Sequence, residues 1–356
     1  MDKIKKITIQ DIAKYANVSV GTVDRVIHKR GKVSAEKERR IEDAIEKLNF
    51  NPNLLARTLA LGMRFRVCTL LPTSPNPGQY WALPKNGIER AGVMYKDFGI
   101  VVESYSYNLF DEASFIKSAN LILESNPRGV ILAPRFLNES LNFVEKLNEK
   151  EIPYVFIDTD IPDQKSLTYI GPDVEQSAYI AARLLNSVTQ INGDILILNM
   201  FKGIENAAAL IRMELGFKKY FKEKGLDKKR IQVLTINSTD KDVVFRELTK
   251  FYIKNNNVNG VFVTNSKAFL VSEFHLAHDL DIRVVGYDLV AENINQLKLG
   301  GIDFIISQSP IQQGLKGLQT LFELFIYKTE PPKTQYVPLD VIIKENVDFH
   351  IKFYST

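Results

Sequence analysis

Carboxylates, amides and one arginine recur in this chain at one kind of position, directly after a short run rich in Val, Ile and Leu. Arg135 follows GVILAP, Asp158 closes PYVFID with Asp160 just beyond, and Asp173 follows TYIG. Asn265 follows GVFVT, Asp288 closes RVVGYD, and Gln308 closes DFIISQ. Side chains of these types can each hold two adjacent hydroxyls, while an aromatic ring covers the apolar face of a sugar ring. Tyr80 and the lone Trp81 lie in the segment Pro72 to Trp81 after the first such run, placed for that part. Plainer readings stand beside these: Asp173 as a helix N-cap, Asp158 and Asp160 as turn formers, and Trp81 as filler between subdomains.

Bond-breaking chemistry finds little support. The four histidines are at 28, 275, 278 and 350. His275 and His278 are three apart with no third ligand nearby, which suits packing better than metal. Cys68 lies inside the first apolar run with no base beside it and reads as a small buried hydrophobe. No phosphate-cradling glycine loop, nucleophile elbow or metal spacing occurs, so no catalytic residue, metal or cofactor is expected and an enzyme is disfavoured.

The elements that would position those polar groups alternate. RVCTLLP, IVVESYSY, GVILAP, PYVFID, TYIG, GDILILN, IQVLTIN, NGVFVT, RVVGYD and DFIISQ read as short buried strands, most of them separated by helical stretches. Such alternation implies parallel sheets covered by helices on both faces, and about 290 residues suggests two lobes rather than one. In open parallel sheets ligands sit beyond the carboxyl ends of the strands, where the polar residues above fall.

The first sixty residues follow different rules. Thr8 with Asp11 forms a capping box for a helix that should end near Ala16. Asn17-Val18 gives a tight turn, and Ser19 caps a second helix through about His28. A third helix fits Ser34 to Leu48, turning Ile41, Ala44, Ile45 and Leu48 toward Val23, Val26 and Ile27. This is helix-turn-helix spacing. Residues 1–66 hold 15 Lys and Arg against 8 Asp and Glu, a charge of +7 where the whole chain carries +4. A positive head on a faintly acidic body suits phosphate binding by the head alone.

The order Thr8, Asp11-Ile12-Ala13, Val18-Ser19, Thr22-Val23, Arg25-Val26, Val33-Ser34, Asn51-Pro52-Asn53, Ala56-Arg57 and Leu59 resembles the lactose-repressor (LacI/GalR) family of bacterial regulators. That resemblance implies an α/β chain in three parts. An all-α helix-turn-helix domain covers 1–50 and a hinge helix and linker 51–64. A two-lobed, periplasmic-binding-protein-like effector domain with two parallel sheets covers 65–356. Lobe one would take about 66–188 and 309–336, lobe two about 189–308 and 337–356, with three crossings between them. The partners implied are double-stranded operator DNA, a small effector such as a sugar, and a second copy of the chain.

The same resemblance assigns roles. Val20, Gly21 and Arg25 would face base edges, with Arg25 suited to a bidentate bond to guanine. Thr22, His28 and Asn53 would hold phosphates. Asp24 stands where the family has Ser, and it reads a cytosine amino group, orients Arg25, or marks a different seating of the helix. Asn53 to Ala60 would be the hinge helix, with Ala56, Arg57 and Leu59 at the minor groove and Leu59 as the wedge. Arg212 matches the arginine the family directs into its pocket, and Asp288 and Gln308 match family motifs as well as strand ends. Ser266 stands where the family has Asp.

A free-standing exported sugar binder is the other rival. The N-terminus has no apolar core or small-residue cleavage site, no run of about 18 apolar residues occurs, and one cysteine agrees with a reducing compartment. A cytoplasmic location is expected.

Overall fold

The structure is a computed structural model that describes residues 9–27, 31, 33–48, 64–76, 78–190, 192–201, 207–226 and 231–355. The chain forms two compact units, Met1–Gly62 and Met63–Thr356.

In the first unit three helices follow one another: α1 (Ile9–Ala16), α2 (Val20–Ile27) and α3 (Ala35–Lys47). Asn17 takes φ 51° in the turn, a left-handed conformation that its short polar side chain tolerates. Ser19 Oγ accepts the Thr22 N–H at 3.2 Å and so starts α2. Ile12, Ala13, Ala16, Val23, Ile41 and Ala44 are buried together, with Val26, Ile27, Ile45 and Leu48 packed around them. The helical periodicity of the second and third helices marks Val23, Ile41 and Ala44 of this set. Thr8, His28 and the segment 51–63 lie outside the described residues.

The second unit alternates strand and helix. Its first half contains β1 (Phe65–Pro72), α4 (Ala82–Tyr95), β2 (Ile100–Tyr107), α5 (Glu112–Ser125), β3 (Gly129–Leu132), α6 (Leu137–Glu149), β4 (Tyr154–Ile157) and β5 (Thr168–Gly171). There follow α7 (Val174–Val188), β6 (Asp194–Met200), α8 (Ala207–Glu223), β7 (Ile231–Ile236), α9 (Lys241–Lys254), β8 (Val258–Val263), α10 (Ala268–Ala277), β9 (Arg283–Tyr287), α11 (Ala291–Leu299) and β10 (Phe304–Ser307). The chain closes with α12 (Pro310–Tyr327), β11 (Thr334–Tyr336), β12 (Asp340–Ile342) and α13 (Val347–Ser355). Two six-stranded sheets result, ordered β11-β5-β4-β3-β1-β2 and β12-β10-β9-β8-β6-β7.

The interior strands β1, β3, β4, β5, β6, β8, β9 and β10 are buried on both faces along most of their length, which is why the sequence shows continuous apolar runs there instead of alternation. Along β1, Phe65, Val67 and Leu71 enter one core of the first lobe while Cys68 and Leu70 enter the other. Along β6, Ile195 and Ile197 face one core of the second lobe, and Leu196, Leu198 and Met200 face the other.

Two details differ from the sequence reading. Helix α7, expected with lobe one, packs on the second sheet: Ala178, Ala181, Ala182 and Leu185 join Ile195 and Phe262 in one core. An apolar stripe declares that a helix is buried but not against which sheet, so the first crossing falls before α7 instead of after it. The last strand, β12, runs antiparallel to β10, whereas every other pairing is parallel. A short link from β11 to β12 carries the chain back to the second sheet, so no right-handed crossover is needed there.

Backbone approaches closely at matching places in the two lobes. A Cβ on Gly87 of α4 would lie 2.0 Å from the Ile311 carbonyl oxygen of α12, and one on Gly314 would lie 1.9 Å from that of Pro84. In lobe two, a Cβ on Gly216 of α8 would lie 2.1 Å from the Glu175 carbonyl oxygen of α7. Backbone cannot swing aside as a side chain can. Gly314→Ala should therefore lower stability by about 1–3 kcal/mol, read as a fall in midpoint on thermal unfolding; an unchanged midpoint would contradict this packing.

Candidate functional site

The carboxyl ends of both sheets open on one cleft of about 1400 Å3. Tyr80, Trp81, Arg135, Asp158, Asn265, Asp288 and Gln308 all line it. Seven sequence-predicted residues, spread over 229 positions, thus meet at one place because each lies at or beyond the carboxyl end of a strand of one sheet or the other.

The two aspartates occupy equivalent positions in the two lobes. Asp158 follows β4 with φ 67° and donates its N–H to the Ile170 carbonyl across the strand edge at 3.1 Å. Asp288 follows β9 with φ 64° and donates to the Ile306 carbonyl at 3.1 Å. Aspartate is among the few side chains that accept the left-handed region, which here turns each carboxylate into the cleft.

Their surroundings differ. The Asp158 carboxylate accepts the Tyr80 hydroxyl at 2.5 Å, the Thr159 hydroxyl at 3.1 Å and an Arg135 guanidinium N–H at 3.4 Å. Asp288 is 2% exposed and accepts from the Gln308 backbone N–H at 3.3 Å and its side-chain amide at 2.9 Å. Burial raises the Asp288 carboxyl to about 7; the two Gln308 bonds pull it back down, and the charge of Asp158 pushes it further up. The Tyr80 hydroxyl is held well above its usual value, first by burial and then by Asp158 and Asp288.

Trp81 is buried in the core of lobe one and also lines the cleft, edge-on to Tyr80 with ring centroids 5.0 Å apart. Asn265 lines the cleft, but both ends of its amide are used by the protein: the nitrogen donates to the Met200 carbonyl at the end of β6 and the oxygen accepts the Lys267 N–H of its own loop. Asp173 and Arg212 are not among the lining residues. Asp173 caps α7, its carboxylate accepting the Gln176 N–H at 3.0 Å. Arg212 is exposed on α8, because Met213, Phe217 and Phe221 take the buried face and the helix turns residue 212 outward. Its charge is felt at Asp160, whose carboxyl burial nevertheless raises.

Sequence reasoning missed Thr159, Phe136, Lys267 and Phe269 in the lining, and Asn293 behind it. The Asn293 amide is fully buried and donates to the Tyr287, Asp288 and Ser266 carbonyls, while its oxygen accepts the Phe269 N–H. One side chain thus fixes the ends of β8 and β9. It sits two residues into α11, where no periodicity distinguishes it.

On the helical unit, Val20, Gly21 and Arg25 of α2 are exposed, while Thr22 and Asp24 are half-buried. A Cβ on Gly21 would meet nothing within 4 Å, so the glycine is not required by packing inside the chain. His28, Asn53, Ala56, Arg57 and Leu59 lie outside the described residues. Among the described residues no group of three or more His, Cys, Asp or Glu could hold a metal, and no helix is long and apolar enough to cross a membrane. His275 is buried against Tyr252, whose hydroxyl lies 2.8 Å from its Nε2.

Two family descriptions match the chain: "Bacterial regulatory proteins, lacI family" over residues 8–53 and "Periplasmic binding protein domain" over 68–329. The ribose operon repressor of Lactococcus lactis is 25% identical over 351 residues, covering 96% of this chain and 98% of that protein. The crystal structure of a putative LacI transcriptional regulator from Bacteroides fragilis superposes with a TM-score of 0.72 at 31% identity, over 81% of this chain and 99% of that one. GanP, a glucose-galactose binding protein from Geobacillus stearothermophilus, shares the fold with a TM-score of 0.69 at 20% identity, over 80% of this chain and 99% of that one.

The raised Asp288 carboxyl has a sign that can be checked. Between about pH 4 and 7 the folded protein holds this proton and the unfolded chain does not. The stability it contributes is complete below about pH 4 and is lost as pH rises through 7. Asp288→Asn should remove that part of the slope and raise the unfolding midpoint of ligand-free protein at pH 8 relative to the parent. Parallel midpoint-against-pH curves for the two proteins would show that Asp288 titrates normally.

Proposed function

The chain belongs to the lacI family of bacterial regulatory proteins and carries the family's periplasmic binding protein domain, and from that membership we infer how its parts work together. It is a ligand-responsive, DNA-binding transcription regulator.

The finer reading follows from the residues. A small neutral-faced polyol such as a sugar binds between the lobes, with Asp158, Arg135 and Tyr80 on one side and Asp288 and Gln308 on the other. The observation that carries this is the mirrored pair of strand-end aspartates on the wall of one cleft beside an aromatic pair. Carboxylates that face each other from two lobes suit a molecule presenting hydroxyls on opposite edges. The similarity to the ribose operon repressor and to GanP, a glucose-galactose binding protein, supports the same class.

The helical unit, 1–50, reads an operator through α2, with Arg25 as its polar reader and Val20 and Gly21 beside it. Thr22, His28 and Asn53 fix register on phosphates, and the segment 51–64 with Ala56, Arg57 and Leu59 serves as hinge. A second copy completes a twofold reader for a pseudo-palindromic operator. Edge strands β2 and β7 support this pairing: Val101 and Val233 on them are exposed, as are Val93 and Met94 on the neighbouring α4. Regulation of transcription in the cytoplasm, not catalysis, is the role these features favour.

Arg25→Ala should weaken binding to the protein's own upstream DNA by about 5- to 150-fold while changing affinity for random duplex little. Affinity for both should fall as salt is added. Equal affinity for operator and random duplex in the parent protein would overturn the regulator reading. A sugar titration followed by Trp81 fluorescence tests the cleft, and Asp288→Ala is expected to abolish the ligand-induced change.

A further inference from the structure

The charge around the cleft restricts what can enter it. Its described lining holds five acidic side chains, Asp111, Glu112, Asp158, Asp288 and Glu292, against two basic ones, Arg135 and Lys267. Five carboxyl side chains against two cations leave this lining acidic on balance. Arg135 is engaged by the Asp158 carboxylate and the Thr159 hydroxyl, and the Lys267 ammonium lies over the Phe269 ring, 5.4 Å from its centroid.

Helix N-termini are the other device that captures phosphates and carboxylates, and several open toward this cleft. In each of four, one of the first N–H groups is already spent on the protein. Asp111 takes the Ala113 N–H of α5, and Asp173 takes the Gln176 N–H of α7. Asn293 takes the Phe269 N–H of α10, and the Gly78 carbonyl takes the Ala291 N–H of α11 at 3.3 Å. Both strand-end carboxylates line the cavity; Arg135 pairs with Asp158 at 3.4 Å, whereas the Asp288 carboxylate accepts from the two donors of Gln308.

We propose that this cleft is selective for a ligand bearing no phosphate or carboxylate, an uncharged sugar or one carrying an amino group, with Asp288 as the residue that enforces the exclusion. This deepens the sugar reading and rests on it. A free hydroxyl or ammonium can donate to Asp158 and Asp288 together, whereas an anionic substituent would bring like charge against buried carboxylates. Such juxtaposition costs several kcal/mol. Burial raises the affinity of Asp288 for a proton first, and the charge of Asp158 adds to it.

The test is a calorimetric and Trp81-fluorescence titration of the full chain at pH 8 with matched probes: neutral hexoses and pentoses, hexosamines, hexose 6-phosphates and hexuronates. Whichever parent sugar binds, its phosphate and uronate should bind weaker by about 30-fold or more, and its amino derivative no weaker. In Asp288→Asn, with circular dichroism and unfolding midpoint as fold controls, that penalty should shrink at least several-fold. A phosphate or uronate that binds as tightly as its parent overturns the proposal while leaving the sugar reading intact. A penalty unchanged in Asp288→Asn overturns the role of Asp288. Binding by none of the probes overturns the sugar reading, and this proposal falls with it.

Discussion

Two carboxylates held out of water on the wall of a single cleft are the constraint around which the effector domain is arranged. An ionised group removed from water must find partners or give up its charge. The two lobes resolve this differently with the same backbone. Asp158 gathers a phenol, a hydroxyl and a guanidinium, whereas Asp288 gathers, among the described residues, the two donors of Gln308 and holds its proton to about pH 7. The supporting cast follows from that difference. Gln313 fixes the Gln308 carbonyl at 2.9 Å, Asn293 clamps the carbonyls around Asp288, and Tyr287 is tied to Ser177 of α7 at 2.7 Å. Each of these groups is buried and each satisfies a strand end that would otherwise leave polar atoms unpaired.

Duplication of the lobe architecture explains how such precision is reached with short strands. A left-handed aspartate after the β4 or β9 strand, its N–H on the penultimate carbonyl of the next strand, appears once in each lobe. Glycine contacts that let helix pairs touch at backbone distance also appear in each, at Gly87 and Gly314 in one and Gly216 in the other. Rigid lobes built this way move as bodies, since packed cores do not deform gradually.

Most of the strands were legible because burial on both faces leaves an apolar run that no helix period imitates. The head was legible for the opposite reason: its turn and caps depend on single residues, Asn17 and Ser19, whose chemistry is local. Strand-end polar residues then located the cleft, since position after a run fixes which end of the sheet a side chain occupies. What stayed hidden depends on rotation or on partner choice. Arg212 and Met213 are neighbours in sequence, yet helix packing sends one to solvent and the other to the cleft. Asp173 has one chemistry available for capping and for ligand, and only geometry showed that the helix uses it. Helix α7 belongs to the second lobe because of what lies opposite its alanines, information that no single segment contains.

The segment after β1 connects ligand to lobe movement. It belongs to lobe one through Trp81, yet Gly78 receives an N–H from Ala291 of lobe two, and a Cβ on Gly78 would lie 3.0 Å from that of Ala291. Tyr80 in the same segment is bonded to Asp158 and feels the charge of Asp288. The arrangement with the lobes together is thus the one in which a single loop touches both walls of the cleft. A ligand shifts an equilibrium between lobe arrangements only by the difference in its affinity for them. Under the proposed reading, a ligand that bonds Asp158 and Asp288 at once would have that difference built in, because each lobe contributes one of the pair. Since linkage is reciprocal, whatever factor a ligand imposes on operator affinity the operator imposes on the ligand, and the reading proposed above favours a sugar whose hydroxyls span the two aspartates.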